Sequence, residues 1–231
     1  MRVIGNSDRR LVRRTLRLFV GLALYGVSMA LMIESSLGLT SWDVFHQGVA
    51  KVTGLSFGLV VVLAGIPILL LWIPLRQRVG FGTLANVVVV GFAADGALAV
   101  LPAGQGLPAR IAYLAAGIVL NGAATGMYIG ARFGPGPRDG LMTGIVHRFP
   151  RLPLRLVRAG IELTVLGAGF LLGGTVGIGT IAYALSIGPL VQLFLPAFTV
   201  RETVTIQQDQ AAPAAPTRVS PQVCTVPDTP R

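Results

Sequence analysis

Ionisable side chains are scarce in this 231-residue chain, so the position of each acidic residue is informative. One of only nine acidic residues, Asp95, lies within a long apolar stretch among alanines and glycine. A carboxyl group at such a place in a membrane protein typically belongs to a proton or solute pathway. The alternative is a hydrogen bond to a neighbouring helix. The sequence leaves both roles open for Asp95.

Two further aspartates, Asp43 and Asp139, lie about 96 residues apart in segments that resemble each other. The segments LGLTSWDVFHQGVAK and FGPGPRDGLMTGIVH share a glycine, the aspartate and a second glycine in register. More glycines match upstream at the same offset, and VGFGT matches VGIGT downstream with one residue inserted. Self-similarity of this kind predicts that the chain contains two copies of one structural unit.

Polar residues in the apolar stretches recur at corresponding positions of the two copies. At these offsets Asp95 pairs with Gln192, Asn86 with Tyr183, and Tyr25 with Asn121. They are either interhelical hydrogen-bonding groups or part of a solute site. The predicted substrate-binding residues are Asp95, Asn86, Gln192, Asn121, Tyr25, Asp43 and Asp139.

The composition is that of a membrane protein. Hydrophobic residues make up 53% of the chain and charged residues 12%, with a mean hydropathy of +0.72. Soluble domains carry about 25% charged residues. Runs of about 20 apolar residues are long enough to cross the hydrocarbon layer. Six spans are predicted, at residues 16–33, 57–73, 81–101, 111–131, 156–172 and 178–195.

The basic residues predict the orientation of these spans. Of the 19 basic residues, 17 fall on one side of the predicted membrane, and Lys51 and Arg110 fall on the other. By the positive-inside rule both termini are cytoplasmic. The net charge of +10 is thus a topology signal, and nucleic-acid binding is not expected. The arginines of residues 148–158 either contact anionic lipids or form an ordinary cytoplasmic loop.

With an odd number of spans per copy, the second copy would cross the membrane in the opposite orientation to the first. The sequence therefore predicts an all-α membrane protein with two inverted three-helix repeats, at residues 16–105 and 106–200. Each repeat has a short helix after its first span, entered through Gly38 or Gly134 and either interfacial or re-entrant. Thr40 or Ser41 would cap the first short helix, and Pro137 would begin the second. Residues 1–15 are predicted as a basic cytoplasmic arm and 201–231 as a disordered tail.

Soluble-enzyme motifs are absent from the sequence. There is no nucleotide-binding P-loop, no H-E-x-x-H zinc motif and no G-x-S-x-G nucleophile motif. The two histidines, His46 and His147, fall on opposite sides of the predicted membrane, so a shared metal site is not expected. No enzymatic activity and no cofactor are predicted.

The run LGLTSWDVF, a short helix and the VGFGTL entry to the third span resemble the bacterial YczE/YyaS/YitT-type integral membrane proteins. The segment FGPGPRDGLMTG is similar to the corresponding family segment, so Asp139 is a family-like position. The resemblance implies a multi-pass protein of the bacterial plasma membrane and no particular activity. The inverted repeats, the sparse polar residues within the spans and the lack of a nucleotide motif lead us to expect a small-solute carrier or permease. The alternative is a non-transporting membrane partner or assembly factor for another protein complex. Its partner would be another protein or a second copy of the chain.

The predicted topology can be tested with reporter fusions. Fusions after Arg78 and Arg151 should report a cytoplasmic location, and a fusion within residues 102–108 should report an external one, because the basic loops stay inside. An external signal at Arg151 would contradict both the six-span count and the inversion of the repeats.

Overall fold

The computed structural model describes residues 6–198, which form eight α-helices and no strand. The helices are α1 (Asn6–Ser35), α2 (Ser41–Thr53), α3 (Phe57–Trp72), α4 (Phe81–Val100), α5 (Gly106–Gly130), α6 (Pro137–Arg148), α7 (Leu154–Leu171) and α8 (Ile178–Phe198). Helix α1 takes in most of the predicted basic arm, residues 1–15. The predicted tail, residues 201–231, lies outside the described residues.

Each of the six predicted spans coincides with a helix. Four helices are long and apolar enough to cross a membrane by themselves: α1 from Leu11, α4, α5 and α8. The pair α2 and α3, bent by 111°, makes a fifth if it is counted as one broken span. Helix α3 has only 16 residues, and α7 carries Arg155, Arg158 and Glu162. The count of six therefore stays a prediction, whereas an all-helical protein with several apolar spans is confirmed.

Large apolar side chains cover the outside of the bundle. Exposed examples occur on every long helix, such as Leu70 on α3, Phe92 on α4, Phe170 on α7 and Leu185 on α8. A soluble monomer rarely exposes contiguous apolar surface on this scale, because water disfavours it. The surface is that of a helical bundle embedded in lipid.

Helices α1 and α5 pack against each other in antiparallel orientation at the centre of the bundle. A Cβ atom on Gly21 of α1 would lie 3.0 Å from the Met127 Cβ of α5. A Cβ atom on Gly117 of α5 would lie 3.1 Å from the Ser28 carbonyl of α1. The two glycines are 96 positions apart, and each lets the backbones approach closely. The beginning of each helix therefore lies beside the end of the other.

Two arginines bind the ends of this helix pair. Arg14 of α1 donates through Nε to the Ala131 carbonyl at 3.0 Å, just after the end of α5. Arg110 of α5 donates through Nε to the Ser35 carbonyl at 2.7 Å, at the end of α1. The two arginines are also 96 positions apart. A cation at a helix C-terminus satisfies unpaired carbonyls and interacts favourably with the helix dipole.

The second guanidinium nitrogen of each arginine extends this contact to the next residue. Nη2 of Arg14 donates to the Arg132 carbonyl at 3.2 Å, and Nη2 of Arg110 donates to the Ser36 carbonyl at 2.9 Å. Both accepting residues adopt left-handed backbone conformations, with φ of 55° and 51° respectively. We call these matched contacts the arginine clasps.

The segment that leads into each short helix hydrogen-bonds to a helix of the other half of the chain. Before α2, the Leu37 carbonyl accepts from the Gly179 N–H of α8 at 2.9 Å. Before α6, the Phe133 carbonyl accepts from the Gly82 N–H of α4 at 3.0 Å. Gly38 and Gly134, which follow these carbonyls, have φ of 131° and 122°. The predicted glycine entries are therefore confirmed, because other residues rarely adopt this conformation.

The short helices also pack on the opposite half. Helix α2 contacts α7, where a Cβ on Gly48 would lie 2.7 Å from the Leu172 Cβ. Helix α6 contacts α3, and a Cβ on Gly144 would lie 3.2 Å from the Leu75 Cβ just beyond it. In both helices the fully buried residues fall in the first two turns, and the last residues of the helix are exposed. Each short helix thus enters the bundle with its N-terminus first.

The arginine clasps predict matched losses of stability. Arg14→Gln and Arg110→Gln should each lower the free energy of unfolding by about 1–2 kcal/mol, because two charge-assisted hydrogen bonds are lost. Arg→Lys at either position should lose part of this stability, since lysine keeps the charge but not the planar fork. Thermal unfolding of the purified protein measures the effect, with the exposed Arg151→Gln as control. Equal unfolding temperatures for the control and both variants would contradict the role of the clasps.

Candidate functional site

The N-terminal ends of α2 and α6 lie near the middle of the bundle, beside α1 and α5. Arg138, in the first turn of α6, donates through Nη2 to the Tyr25 hydroxyl of α1. The Tyr128 hydroxyl of α5 donates to Oδ2 of Asp139 at 3.1 Å. The two tyrosine rings meet edge to face, with centroids 6.2 Å apart. We call Tyr25, Tyr128, Arg138 and Asp139 the central cluster.

A small cavity of about 70 Å³ lies on one side of the central cluster, and we call it cavity A. Its polar lining includes Tyr25, Asp43, His46, Asn86 and Arg138, with Trp42 beside them. The rest of its wall comes mainly from valine, isoleucine and methionine side chains of α1, α3 and α4. Three of the seven predicted residues, Tyr25, Asp43 and Asn86, therefore meet at one cavity.

A larger cavity of about 320 Å³, cavity B, lies on the other side of the cluster. Its polar lining includes Asp139, Arg158, Glu162, Tyr183 and Gln192. Two of the predicted residues, Asp139 and Gln192, thus lie here. Tyr128 and Arg138 line both cavities and form part of the wall between them.

Cavities A and B are built from corresponding positions of the two halves. Residues 96 or 97 positions apart occupy the two linings: Trp42 and Arg138, Asp43 and Asp139, Val61 and Arg158, Gly65 and Glu162, and Asn86 and Tyr183. The positions are shared but the chemistry is not. Small or apolar residues of cavity A correspond to charged residues of cavity B.

Two residues of the cavity A lining, Trp42 and His46, each carry a buried polar nitrogen without a partner in the described part of the chain. Trp42 and His46 are about 6% and 7% exposed, and neither Trp42 Nε1 nor His46 Nδ1 has a hydrogen-bond partner among the described residues. An indole N–H can only donate, whereas a histidine nitrogen donates or accepts according to its tautomer. His46 Nδ1 lies 3.8 Å from Asp43 Oδ1, which is too far for a hydrogen bond. Unsatisfied buried donors are costly, and they mark a place where a ligand or water can bind.

Asp43 is not the cap of its helix. The Thr40 hydroxyl accepts the Asp43 backbone N–H at 3.2 Å and so caps α2, as one of the two predicted alternatives. Helix α6 begins with Pro137 as predicted, but its N-cap residue Gly136 has no side chain to cap it. Asp43 is only 3% exposed and is part of the lining of cavity A, and its carboxylate does not cap the helix.

Asn121, another predicted site residue, connects three helices. Its Nδ2 donates to the Ser28 hydroxyl of α1 at 2.8 Å, and its Oδ1 accepts from the Tyr183 hydroxyl of α8 at 3.0 Å. Both ends of this fully buried amide are hydrogen-bonded. The arrangement is that of an interhelical hydrogen-bonding group, and Asn121 lines neither cavity.

Asp95 lies apart from the other predicted residues. Its Oδ1 accepts from the Gly58 backbone N–H at 2.6 Å, and its Oδ2 accepts from the Ser56 hydroxyl at 2.5 Å. The Asp95 carboxylate on α4 therefore accepts a hydrogen bond from a backbone N–H at the N-terminus of α3, which has no partner within its own helix. Asp95 lines neither cavity A nor cavity B. Its contacts in the structure are hydrogen bonds between helices, the second of the two roles that the sequence leaves open.

Arg138 and His46 were absent from the predicted site. In the sequence Arg138 is a topology signal, although it directly precedes Asp139 in the segment that resembles the first one. His46 indicates only a metal site shared with His147, which the predicted topology argues against. Within residues 6–198, no three His, Cys, Asp or Glu side chains are close enough together to hold a metal ion.

The role of Asp95 can be tested by comparing two substitutions. Asp95→Ala should lower the free energy of unfolding by about 1–2 kcal/mol, because the N-terminus of α3 loses its acceptor. Asp95→Asn should stay within about 0.5 kcal/mol, since an amide oxygen also accepts this N–H. Thermal unfolding measures both. An Asn variant with normal stability but no activity would instead support the proton or solute pathway predicted from the sequence.

Comparison with known proteins places this architecture in a family. The model of a family of unknown function, DUF6198, matches residues 12–196. An uncharacterized protein of Haemophilus influenzae is 40% identical over 178 residues, which cover 77% of this chain and 81% of that protein. The uncharacterized membrane protein YczE of Bacillus subtilis is 34% identical over 81% of this chain and 88% of its own length. YyaS of the same organism is 25% identical over 77% of this chain and 90% of its own. No solved structure matches.

The resemblance to the YczE and YyaS proteins is thereby confirmed, and a membrane location agrees with the name of YczE and with the apolar helices. The chain belongs to the DUF6198 family of membrane proteins whose function is unknown.

Proposed function

We propose that the protein is a carrier for a small solute, built from two inverted repeats. The observation that carries the proposal is the pair of cavities at corresponding positions of the two halves, with Arg138 and Tyr128 between them. In inverted-repeat transporters the substrate site lies where the repeats meet, near the middle of the membrane. Corresponding cavities then open to opposite sides, one after the other.

The antiparallel packing of α1 and α5 supports the inversion. A two-fold axis that relates two antiparallel helices runs perpendicular to them, which in a membrane means within its plane. The two arginine clasps correspond to each other under this two-fold axis, and so do the hydrogen bonds that Gly82 and Gly179 donate to the other half. The asymmetric distribution of arginine residues supports it independently.

The burial of α2 and α6 favours re-entrant over interfacial helices. An interfacial helix would keep one face in contact with headgroups along its whole length. Here the residues of the first turns, such as Trp42 and Asp43 in α2, are buried in protein. Non-helical backbone at membrane depth is tolerated where it is covered by protein or lines a cavity. The segments before α2 and α6 meet that condition.

The central cluster makes a carrier a better fit than an open channel. A solute that passes between the cavities has to displace the contacts of Arg138 with Tyr25 and of Tyr128 with Asp139. Such a wall opens through a conformational change and does not leave a continuous pore. The chain would lie in the bacterial plasma membrane with both termini in the cytoplasm, and Arg148, Arg151 and Arg155 would face anionic headgroups.

Accessibility from the two sides of the membrane tests the carrier mechanism. In a Cys224→Ser background, single cysteines replace Val90 in cavity A and Ile187 in cavity B, which are corresponding positions. A membrane-impermeant thiol reagent should label them from opposite sides, because the repeats are inverted. Leu185→Cys on the exposed apolar face of α8 is the control and should not be labelled. Labelling of both cavity positions from the same side would contradict the inversion.

Flux into proteoliposomes tests transport itself. A panel of small solutes, with and without a proton gradient, should contain at least one that the protein transports. Arg138→Gln should reduce that flux about tenfold or more, because the buried charge between the cavities is lost. Arg151→Gln is the matched control. Absence of flux for every solute would contradict the carrier and favour the non-transporting partner, which crosslinking would then recover as a stoichiometric complex.

A further inference from the structure

We propose that cavity A binds a short zwitterionic solute, the size of a small amino acid, with its carboxylate at Arg138 and its ammonium group at Asp43. The inference rests on the proposed carrier function and names the class of substrate. The groups around the cavity can pair both charges of such a ligand, and a volume of about 70 Å³ suits a molecule of this size.

The carboxylate end is indicated by donors that lack acceptors. Arg138 lines the cavity, and its nearest hydrogen-bond acceptor is the neutral Tyr25 hydroxyl. Among the described residues no carboxylate lies within 4.0 Å of its guanidinium group, since the one ion pair there joins His46 and Asp43. A partly buried guanidinium without a directly paired carboxylate is unfavourable, and a ligand carboxylate would compensate it through its fork of N–H groups.

Two further features favour a negative group at the same place. Trp42 Nε1 is a donor-only atom without an acceptor, and Trp42 is part of the cavity lining. The N-terminus of α6 borders the cavity through Gly136 and Pro137, and no side chain caps it. Unpaired N–H groups and the helix dipole attract an anion to such an end. The indole N–H is the independent sign that a ligand acceptor is missing.

The ammonium end is indicated by Asp43. Asp43 lines the same cavity, and among the described residues its one ion-pair contact within 4.0 Å is with His46, at 3.8 Å from Nδ1 to Oδ1. A neutral histidine leaves the negative charge of this buried residue uncompensated. A ligand ammonium group between Asp43 and His46 would donate to the carboxylate and to Nδ1. An anion alone would leave Asp43 unpaired and would be repelled by it.

Volume and wall chemistry restrict the ligand further. A cavity of about 70 Å³ has room for roughly two water molecules, or on the order of five bonded non-hydrogen atoms. Val61, Ile68 and Val90 make the remaining wall apolar, which suits a methylene or a methyl group. Cavity B offers a second pair of opposite charges, Arg158 and Glu162, along the path of the same solute.

Binding to the purified full-length protein tests the inference, with glycine, acetate and methylammonium as probes in isothermal titration calorimetry. Glycine should bind about tenfold more tightly than either of the other two, because each of them leaves one buried charge unpaired. Acetate binding as tight as that of glycine would overturn the zwitterion in favour of an anion site. Methylammonium binding of equal strength would overturn it in favour of a cation site.

Three substitutions separate the roles of the lining groups. Arg138→Gln, Asp43→Asn and Trp42→Phe should each weaken glycine binding about tenfold, whereas Arg151→Gln should not. Trp42→Phe should leave the unfolding temperature of the ligand-free protein unchanged or raise it, because an unsatisfied donor is removed. A lower unfolding temperature with unchanged glycine affinity would show that the indole N–H is structural, and would overturn the proposed site.

Glycine binding and solute transport test the zwitterion site and the carrier separately. Transport of another solute without any binding of glycine refutes the zwitterion site and leaves the carrier intact. Absence of transport for all solutes refutes the carrier, whatever the titration shows.

Discussion

Backbone groups at helix ends must find partners within the protein when the surroundings are lipid. In this fold each half supplies partners for the ends of the other. Arg14 and Arg110 satisfy carbonyls at the ends of α5 and α1, and the carbonyls of Leu37 and Phe133 accept from the first turns of α8 and α4. Because these bonds cross between the halves, neither half is complete alone. The antiparallel packing of α1 and α5 follows, since it alone brings the beginning of each helix to the end of the other.

The same hydrogen bonds between the two halves position the candidate site. The segments that carry Leu37 and Phe133 continue directly into α2 and α6, so anchoring them brings both helix beginnings toward the middle of the bundle. There the two helices differ. Helix α2 is capped by Thr40, which leaves Asp43 to cavity A, whereas α6 has no side-chain cap and carries Arg138 in its first turn. Opposite charges and an uncapped helix end therefore lie around one small volume.

Spacing alone could predict which positions of the chain correspond at an offset of about 96 residues. The offset identified Gly38 and Gly134, whose backbone conformations match, and the aspartates that line the two cavities. It also contained the pair Arg14 and Arg110, but arginines near membrane ends were interpreted by their charge, and the clasps were missed. For Asp95 the sequence leaves two roles open, and the structure shows one of them, a hydrogen bond to a neighbouring helix. Its contact with the beginning of α3 joins residues 37 positions apart, and no periodicity within one helix reports such a bond.

At corresponding helix crossings of the two halves, a glycine allows the close contact, but it does not lie on the same helix. Where α6 crosses α3, Gly140 lies against the ring of Trp72, whose Nε1 also donates to the Pro137 carbonyl at 3.0 Å. At the corresponding crossing of α2 with α7, the small residue is on the other helix, and Gly169 lies against Val44. A close crossing requires one small partner, and either helix can provide it. Cavities A and B differ in their linings in the same way: Arg158 and Glu162 of cavity B correspond to Val61 and Gly65 of cavity A.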